Sequence, residues 1–388
     1  MQAIARALEH SVASGEVPYA VAMTASAAGI TGCAAAGEAA PGRAAGPETM
    51  FRIFSMTKAI GSLAALILID RGRLSLDTPV AEILPEWADL PVLEGWEGDR
   101  PRLRPQRARA TIRHLATHTS GAEYPFWNAD LRRYLRATGQ PAMPDGRRAA
   151  LRVPLCFDAG ARWGYGPSTD WLGLVVETVS GQPIDAFCQD EIFAPLGMRD
   201  TVFDPAGRAD RLGRVMARDA EGGFAPMAMA PPDAPEFYGM GHALYATAPD
   251  YLRFLRLVLG GGALEGRRLI SAAAAQLLHR DQMRGLAFRR MVSVSPRSTA
   301  DVDFGARRMT HSFAFLRAEQ DWPGKRRAGA LGWAGILNTH YWIDPAAGLA
   351  AVFMTQSLPF VEPGAARALD RFERAVYAAH ATRPGGAA

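Results

Sequence analysis

The sequence predicts an α+β fold in which a mostly helical block is inserted into an antiparallel α/β unit built from both chain ends. Three observations carry this. Strand-like runs occur near the start, at 17–25 and 30–36, and again late, at 311–317, 337–343 and 349–355. The stretch between, from about 73 to 240, reads as short capped helices. After Lys58, a helix running to Arg71 is apolar on every side (Ile60, Leu63, Leu66, Ile67, Leu68, Ile69), which places it inside the protein. Helices gathered around such a sheet define the α+β class. The expected organisation is a discontinuous α/β unit from 1–72 and 241–380, a mostly helical block at 73–240, and a frayed tail at 381–388.

Each element has its own signal. Ile4, Leu8 and Val12 recur at helical spacing in the first helix. The first two strand runs are joined by a turn at Gly29, and an extended approach over 50–54 enters the helix that opens at Ser55. Gly72 stops that helix, with Arg71 favourable at its negative end. Asp77-Thr78-Pro79 predicts a cap and a first-turn proline for a helix over 80–84. Thr111 predicts the cap of a helix over 112–118, which carries His114 and His118 and ends in Thr119-Ser120-Gly121. Apolar helices follow at 169–180, stopped by Gly181, and at 183–193. Residues 222–241, rich in Gly, Pro and Met, predict a long loop. Helices are expected at 248–259 and 271–283, then an unassigned segment at 284–309, the late strands, and an Ala-rich helix at 364–380.

Composition excludes several classes. At 388 residues with a net charge of +4, the chain can bury a large core and is only mildly basic. Its arginines lie among acidic residues with no basic stripe, so no nucleic-acid partner is expected. Three cysteines without short spacing fit neither a zinc site nor a disulfide framework. The N-terminus has no basic leader with an apolar core, and no uncharged run reaches spanning length. The expectation is a cytoplasmic protein without a membrane partner, with a homo-oligomer left open.

Chemistry concentrates at Ser55 and Lys58, which sit at i and i+3 and share one helix face. An amine at the positive end of a buried helix is desolvated and repelled by the dipole, and both effects lower its pKa. A neutral amine beside a hydroxyl is the arrangement that makes a nucleophile. The plain alternative is that Ser55 caps the helix and Lys58 lies on its surface. Composition favours chemistry: of 43 basic residues only Lys58 and Lys325 are lysine, and arginine cannot lose its proton.

Three further stretches bear on a site. Trp163-Gly-Tyr-Gly-Pro167 holds Tyr165 on a rigid loop before a helix, where it would relay a proton or simply pack with its hydroxyl bonded. Leu331-Gly-Trp-Ala-Gly-Ile336 offers small residues beside a strand, suited to close approach and an oxyanion-facing N–H, or an ordinary turn. His114 and His118 have metal-ligand spacing but no third ligand, so packed structural histidines are expected and no metal.

Together Ser55-Met-Thr-Lys58, His118-Thr-Ser-Gly121, Tyr165-Gly-Pro, Ala194-Pro-Leu-Gly-Met198 and Gly332-Trp-Ala-Gly335 resemble, in order and spacing, the serine β-lactamase-related group. The resemblance covers about residues 5–380 and is closest to the family VIII carboxylesterases. It implies a β-lactamase/transpeptidase-like fold, Ser55 as acylated nucleophile, Lys58 as base or tuner of the base, and Tyr165 as proton relay. It further implies an oxyanion hole from the Ser55 and Ile336 N–H groups, and substrate contacts at Tyr124, Trp333 and Gly335. Which of Lys58 and Tyr165 takes the first proton stays open. Two departures bear on substrate. β-Lactamases and DD-peptidases usually have Lys-Thr-Gly where this chain has Trp333-Ala-Gly335, and Tyr-x-Asn where it has Tyr165-Gly-Pro167. Both losses point towards neutral esters.

The expected protein is a cofactor-free serine carboxylesterase acting on a small-molecule ester through an acyl-enzyme. The alternatives are an acyltransferase using the same triad, or a weak β-lactamase or amide hydrolase. A non-catalytic relative is disfavoured by the intact triad. The absence of any Gly-x-Ser-x-Gly excludes the α/β-hydrolase elbow.

Overall fold

A computed structural model describes residues 2–141 and 143–381. At its centre is an eight-stranded antiparallel sheet in the order Met309–His311, Leu316–Ala318, Leu331–Gly335, Thr339–Asp344, Leu349–Met354, Tyr19–Ala25, Ile30–Ala40, Arg43–Ala44. The chain ends meet where Tyr19–Ala25 pairs with Leu349–Met354, Val21 opposite Met354 and Ala25 opposite Ala350. Both strands are buried along their whole length because helices cover both faces. Alternation sorts the side chains. Ala20, Ala22, Ala351 and Phe353 pack with Ile4, Leu8, Phe372 and Val376 from the first and last helices, Gln2–Ala13 and Pro363–Ala381. Val21, Met23, Val352 and Met354 face a larger core with the helix Thr57–Asp70 and the helix Ala248–Leu259. Glu373 is 1% exposed beneath the sheet and is answered by Arg326 at 2.8 Å and by the second lysine, Lys325, at 3.0 Å.

The all-apolar helix runs Thr57–Asp70 with residues 57–68 all buried, and Gly72 (φ 69°) ends it. It packs against the helix Ser168–Ser180, which Gly181 (φ 77°) terminates. Glycines at the contact make room for Met240: a Cβ at Gly61 would lie 2.7 Å from the Met240 Cβ, and one at Gly173 2.7 Å from its Cγ.

Several sequence expectations are corrected. The run 311–317 is two strands around a tight turn, because the Ser312 Oγ accepts the Phe315 N–H at 3.1 Å and its own N–H reaches the Phe315 carbonyl at 2.8 Å. Residues Leu331–Gly335 are a strand in their own right, paired with Thr339–Asp344 across a turn in which Asn338 adopts φ 62°. Gly-Trp-Ala-Gly is too poor in β-branched residues to announce it. The helix expected at 80–84 runs Val80–Ile83 with Pro79, not Asp77 or Thr78, at its N-cap. The helix expected at 271–283 ends at His279. The mostly helical stretch also holds an unforeseen hairpin, Val92–Glu97 with Arg100–Arg104. Of the expected tail, Ala381 closes the last helix and the rest lies outside the described residues. No helix among the described residues is long and apolar enough to cross a membrane.

The glycine contacts give a stability prediction. Alanine in a helix is normally favoured over glycine by up to about 1 kcal/mol, but overpacking costs about 1–3 kcal/mol. At Gly61 the obstacle is a Cβ next to the backbone, which cannot rotate away. Gly61→Ala is therefore expected to lower the denaturant midpoint, with the slope of the transition unchanged. A midpoint equal to or above wild type would show that the loop carrying Met240 yields freely.

Candidate active site

The chain enters the site through the short strand Met50–Arg52 and turns at Phe54, a non-glycine residue at φ 41°. A left-handed residue of this kind costs about 1–2 kcal/mol and is kept only where the surroundings enforce it. The bend is followed by a 3-10 turn, Phe54–Met56, and then by the helix Thr57–Asp70. Ser55 is thus presented at the mouth of the helix, and Lys58 lies in its first turn, 3% exposed.

Lys58 Nζ sits 3.2 Å from Ser55 Oγ, 3.0 Å from the Tyr124 hydroxyl and 2.8 Å from the Gly241 carbonyl. The Gly241 oxygen can only accept, so it takes one N–H. The Tyr124 O–H is directed towards Asp170 Oδ2 at 3.5 Å, so its oxygen accepts a second N–H. A neutral amine has two N–H groups, and these two contacts use both; its lone pair then faces Ser55 Oγ. Burial lowers the Lys58 pKa from the ordinary lysine value to about 7, with the Asp170 carboxylate opposing the fall.

Asp170 is the residue that sequence reasoning missed. It lies two positions into the helix Ser168–Ser180 and is buried. It accepts hydrogen bonds from the Gly241 N–H at 3.0 Å and His242 Nδ1 at 3.1 Å. Nearby charge and these hydrogen bonds, His242 first, hold its pKa low against burial. A Cβ at Gly239 or Gly241 would come within 2.4 or 2.2 Å of an Asp170 oxygen, so the loop wraps the carboxylate only as glycine. That wrapping is what sets the Gly241 carbonyl on Lys58. The signal was present in the sequence: an ionisable residue in the first turn of an apolar helix, directly after the Tyr165 motif.

The Tyr165 hydroxyl accepts the Trp333 Nε1–H at 3.0 Å, and Tyr165 borders the same cavity as Ser55. Burial pushes its pKa well above the ordinary phenol value, so it is protonated at neutral pH. Lys58 Nζ stands 4.9 Å from its ring centre. The Trp333 indole N–H is therefore spent on Tyr165, while its ring borders the smaller of two cavities that meet at Ser55. Ile336 follows the strand Leu331–Gly335 and borders both cavities beside Ser55. A Cβ at Gly335 would lie 2.3 Å from the Ile53 carbonyl, so its smallness admits the close approach of the Ser55 turn. Tyr124, expected only as a lining aromatic, bonds Lys58 directly.

His118 does not lie on the helix with His114. That helix is Ile112–Ala116, and His118 stands beyond it at φ 56°, its ring 5.0 Å from that of Tyr165. Burial, then His311 and Lys58, drives its pKa far down. His114 Nδ1 accepts the Thr111 N–H at 3.1 Å and so belongs to the helix start. Among the described residues no cluster of His, Cys, Asp or Glu is placed to hold a metal.

Fold and site together define an enzyme of the serine hydrolase and acyltransferase type. A family profile described as Beta-lactamase matches residues 4–375, and the chain belongs to that family. The monacolin J acid methylbutanoyltransferase of Aspergillus terreus is 31% identical over 350 residues, 85% of this chain and 82% of that one. A lovastatin esterase of Penicillium rubens is 30% identical over 334 residues, 80% of each. The unliganded simvastatin synthase from Aspergillus terreus superposes with a TM-score of 0.81 at 27% identity, covering 97% of both chains.

The amine geometry fixes a pH dependence. If Lys58 is the base for Ser55, only its neutral form can take the proton, and acylation is then expected to lose about tenfold per pH unit below a midpoint near 7 and level off above it. Asp170→Asn removes the anion that favours the ammonium form and should move this midpoint down in pH. Burst amplitudes with p-nitrophenyl butyrate between pH 5 and 9 read both effects. An upward shift in Asp170→Asn would contradict the electrostatic assignment.

Proposed function

We propose that this chain is a serine acyltransferase that loads an acyl group on Ser55 and passes it to an alcohol, with ester hydrolysis the outcome when water takes the acceptor's place. Ser55 Oγ bonds to the acyl carbon as its proton goes to Lys58, and Tyr165 gives its proton to the departing oxygen. In the second half the acceptor hydroxyl returns a proton to Tyr165 and attacks the acyl carbon. Ser55 leaves and recovers its proton from Lys58. The Trp333 N–H and the nearby ammonium favour the transient tyrosinate. The Ser55 and Ile336 N–H groups are the proposed oxyanion donors.

The observation that carries the reading is the position of Ser55 between two chambers. One, of ≈ 1090 Å³, is bordered by Tyr124, Phe126, Met143, Pro167, Met227 and Met229. The other, of ≈ 390 Å³, is bordered by Phe126, Tyr165, Met291, Val302 and Trp333. Hydrolysis needs one organic pocket and a water; transfer needs room for donor and acceptor together. The relatives support both outcomes, one named for acyl transfer to monacolin J acid and one named an esterase. We assign the acyl group to the smaller chamber and the acceptor to the larger. Met227 and Met229 bring the Met- and Pro-rich loop to the acceptor side, where adaptable thioethers suit a bulky apolar body.

The test is partitioning. With p-nitrophenyl butyrate, wild type should show a butyryl adduct on the Ser55 peptide and Ser55→Ala none. Adding millimolar 1-decanol should raise turnover and yield decyl butyrate in place of butyrate, whereas nitrocefin should be turned over far more slowly. An adduct on another serine would remove the nucleophile assignment. An adduct that releases only butyric acid at every decanol concentration would return the protein to plain ester hydrolysis.

A further inference from the structure

The smaller chamber extends well beyond the groups that the chemistry uses. Leu316–Ala318 pairs with the strand Leu331–Gly335 only at Leu331 and Gly332. From Trp333 onward that strand has a neighbouring strand on one side alone, Thr339–Asp344. Proteins usually cover or charge an open sheet edge. Here the chamber runs along it: its wall begins at Ser55 and Ile336 and continues to Phe304, Trp322, Phe360 and Leu369.

Alternation puts Ala334 on the face opposite Trp333, beside its cross-strand partner His340, whose ring stacks on Phe360 at 5.9 Å. A single methyl group is the floor at that point. Trp322, Ala334, Phe360, Val361 and Leu369 are half-buried and border the chamber, so this stretch is an apolar groove. Its far end is polar and closed. A Cβ at Gly332 would lie 3.4 Å from Arg326 Nη1, and Glu373 holds both Arg326 and Lys325. From Ile336 to Gly332 is four residues, about 13 Å of strand. A carbon chain advances about 1.2 Å per bond, since three backbone bonds span about 3.6 Å, so this length fits about ten carbons. The volume agrees: ≈ 390 Å³ holds about a dozen groups the size of a water, at about 30 Å³ each.

We propose that this groove holds the acyl chain carried by Ser55, and that the donor is an ester of a straight, medium-chain fatty acid of about ten carbons. This rests on the acyl-transfer reading and names its donor. Continuity with Ser55 selects the occupant: a chain fixed there by its carbonyl carbon enters the groove without crossing the larger chamber. The charges at the far end are spent on one another, which suits a chain that ends in a methyl group. Such a group is longer than the methylbutanoyl for which the Aspergillus terreus relative is named. Loading it needs no new chemistry. The bond from Ser55 Oγ to the acyl carbon forms, the ester C–O bond breaks, Lys58 takes the serine proton and Tyr165 supplies one to the departing alcohol.

The test is the rate of Ser55 acylation across p-nitrophenyl esters from acetate to tetradecanoate, followed by the p-nitrophenol burst and by intact mass. The rate at limiting ester should rise about twofold to fourfold per added methylene, peak between octanoate and dodecanoate, and fall beyond. Leu369→Trp, a change on the last helix that fills the groove away from Ser55, should move the peak to hexanoate or shorter and leave acetate unchanged. Ala334→Phe should do the same from the floor, and where it fails to fold by circular dichroism Leu369→Trp decides. A wild-type peak at hexanoate or shorter, no fall by tetradecanoate, or a peak that Leu369→Trp leaves in place overturns the proposal. If Leu369→Trp spares the acyl series and instead weakens capture of the butyryl group by 1-decanol, the groove belongs to the acceptor, and the proposal is equally overturned. Partitioning is measured separately: a short-chain peak with decyl ester still formed sinks the groove and spares acyl transfer. A decanoate peak that releases only decanoic acid in the presence of 1-decanol does the reverse.

Discussion

The desolvation of one amine governs this structure. Lys58 is placed by a helix with no polar face, so the apolar run that makes the helix a core element also strips water from the amine. A buried ammonium would be costly, and the pKa falls instead. The surroundings are arranged for the neutral form: one backbone carbonyl and one phenol take its two hydrogens, and the serine faces its lone pair. Asp170 sets how far the pKa falls. The carboxylate opposes the fall that burial imposes. The 3.5 Å Tyr124 link keeps the carboxylate one group removed.

The loop 239–242 joins this site to the packing of the fold. Gly241 touches Lys58 with its carbonyl and Asp170 with its N–H, and the neighbouring Met240 is wedged against Gly61 and Gly173 in the two central helices. Helix spacing, loop position and base geometry are therefore one mechanical unit. The Phe54 bend and the approach of Gly335 to the Ile53 carbonyl fix the other side of Ser55 in the same way.

Much of this was legible in the sequence because its signals are local. A run apolar on every side identified the buried helix, Gly72 and Gly181 marked its C-terminal end and that of its neighbour, and the rarity of lysine marked Lys58. Ser55, Lys58 and Tyr165 converge in the structure as the motif spacing implied. What was not legible depends on contacts between distant segments. Tyr124 bonding Lys58 and Asp170 holding residue 241 are pairings over long separations that no window of sequence reports. The strand Leu331–Gly335 and the turn that splits the run 311–317 were missed because glycine and short length defeat a period-two reading. At Gly335 a small residue beside a site signals close approach, and the Ile53 carbonyl is one group that approaches.

The presence of only two lysines makes the central claim directly measurable. Protein labelled with ¹³C at lysine Cε should give two lysine signals, the Lys325 signal being assigned by its loss in Lys325→Arg. The Lys58 signal should titrate near pH 7, in wild type and in Ser55→Ala alike. If it instead titrated above pH 10, Lys58 would be an ammonium at working pH, and the account of Ser55 activation by a neutral amine would be wrong.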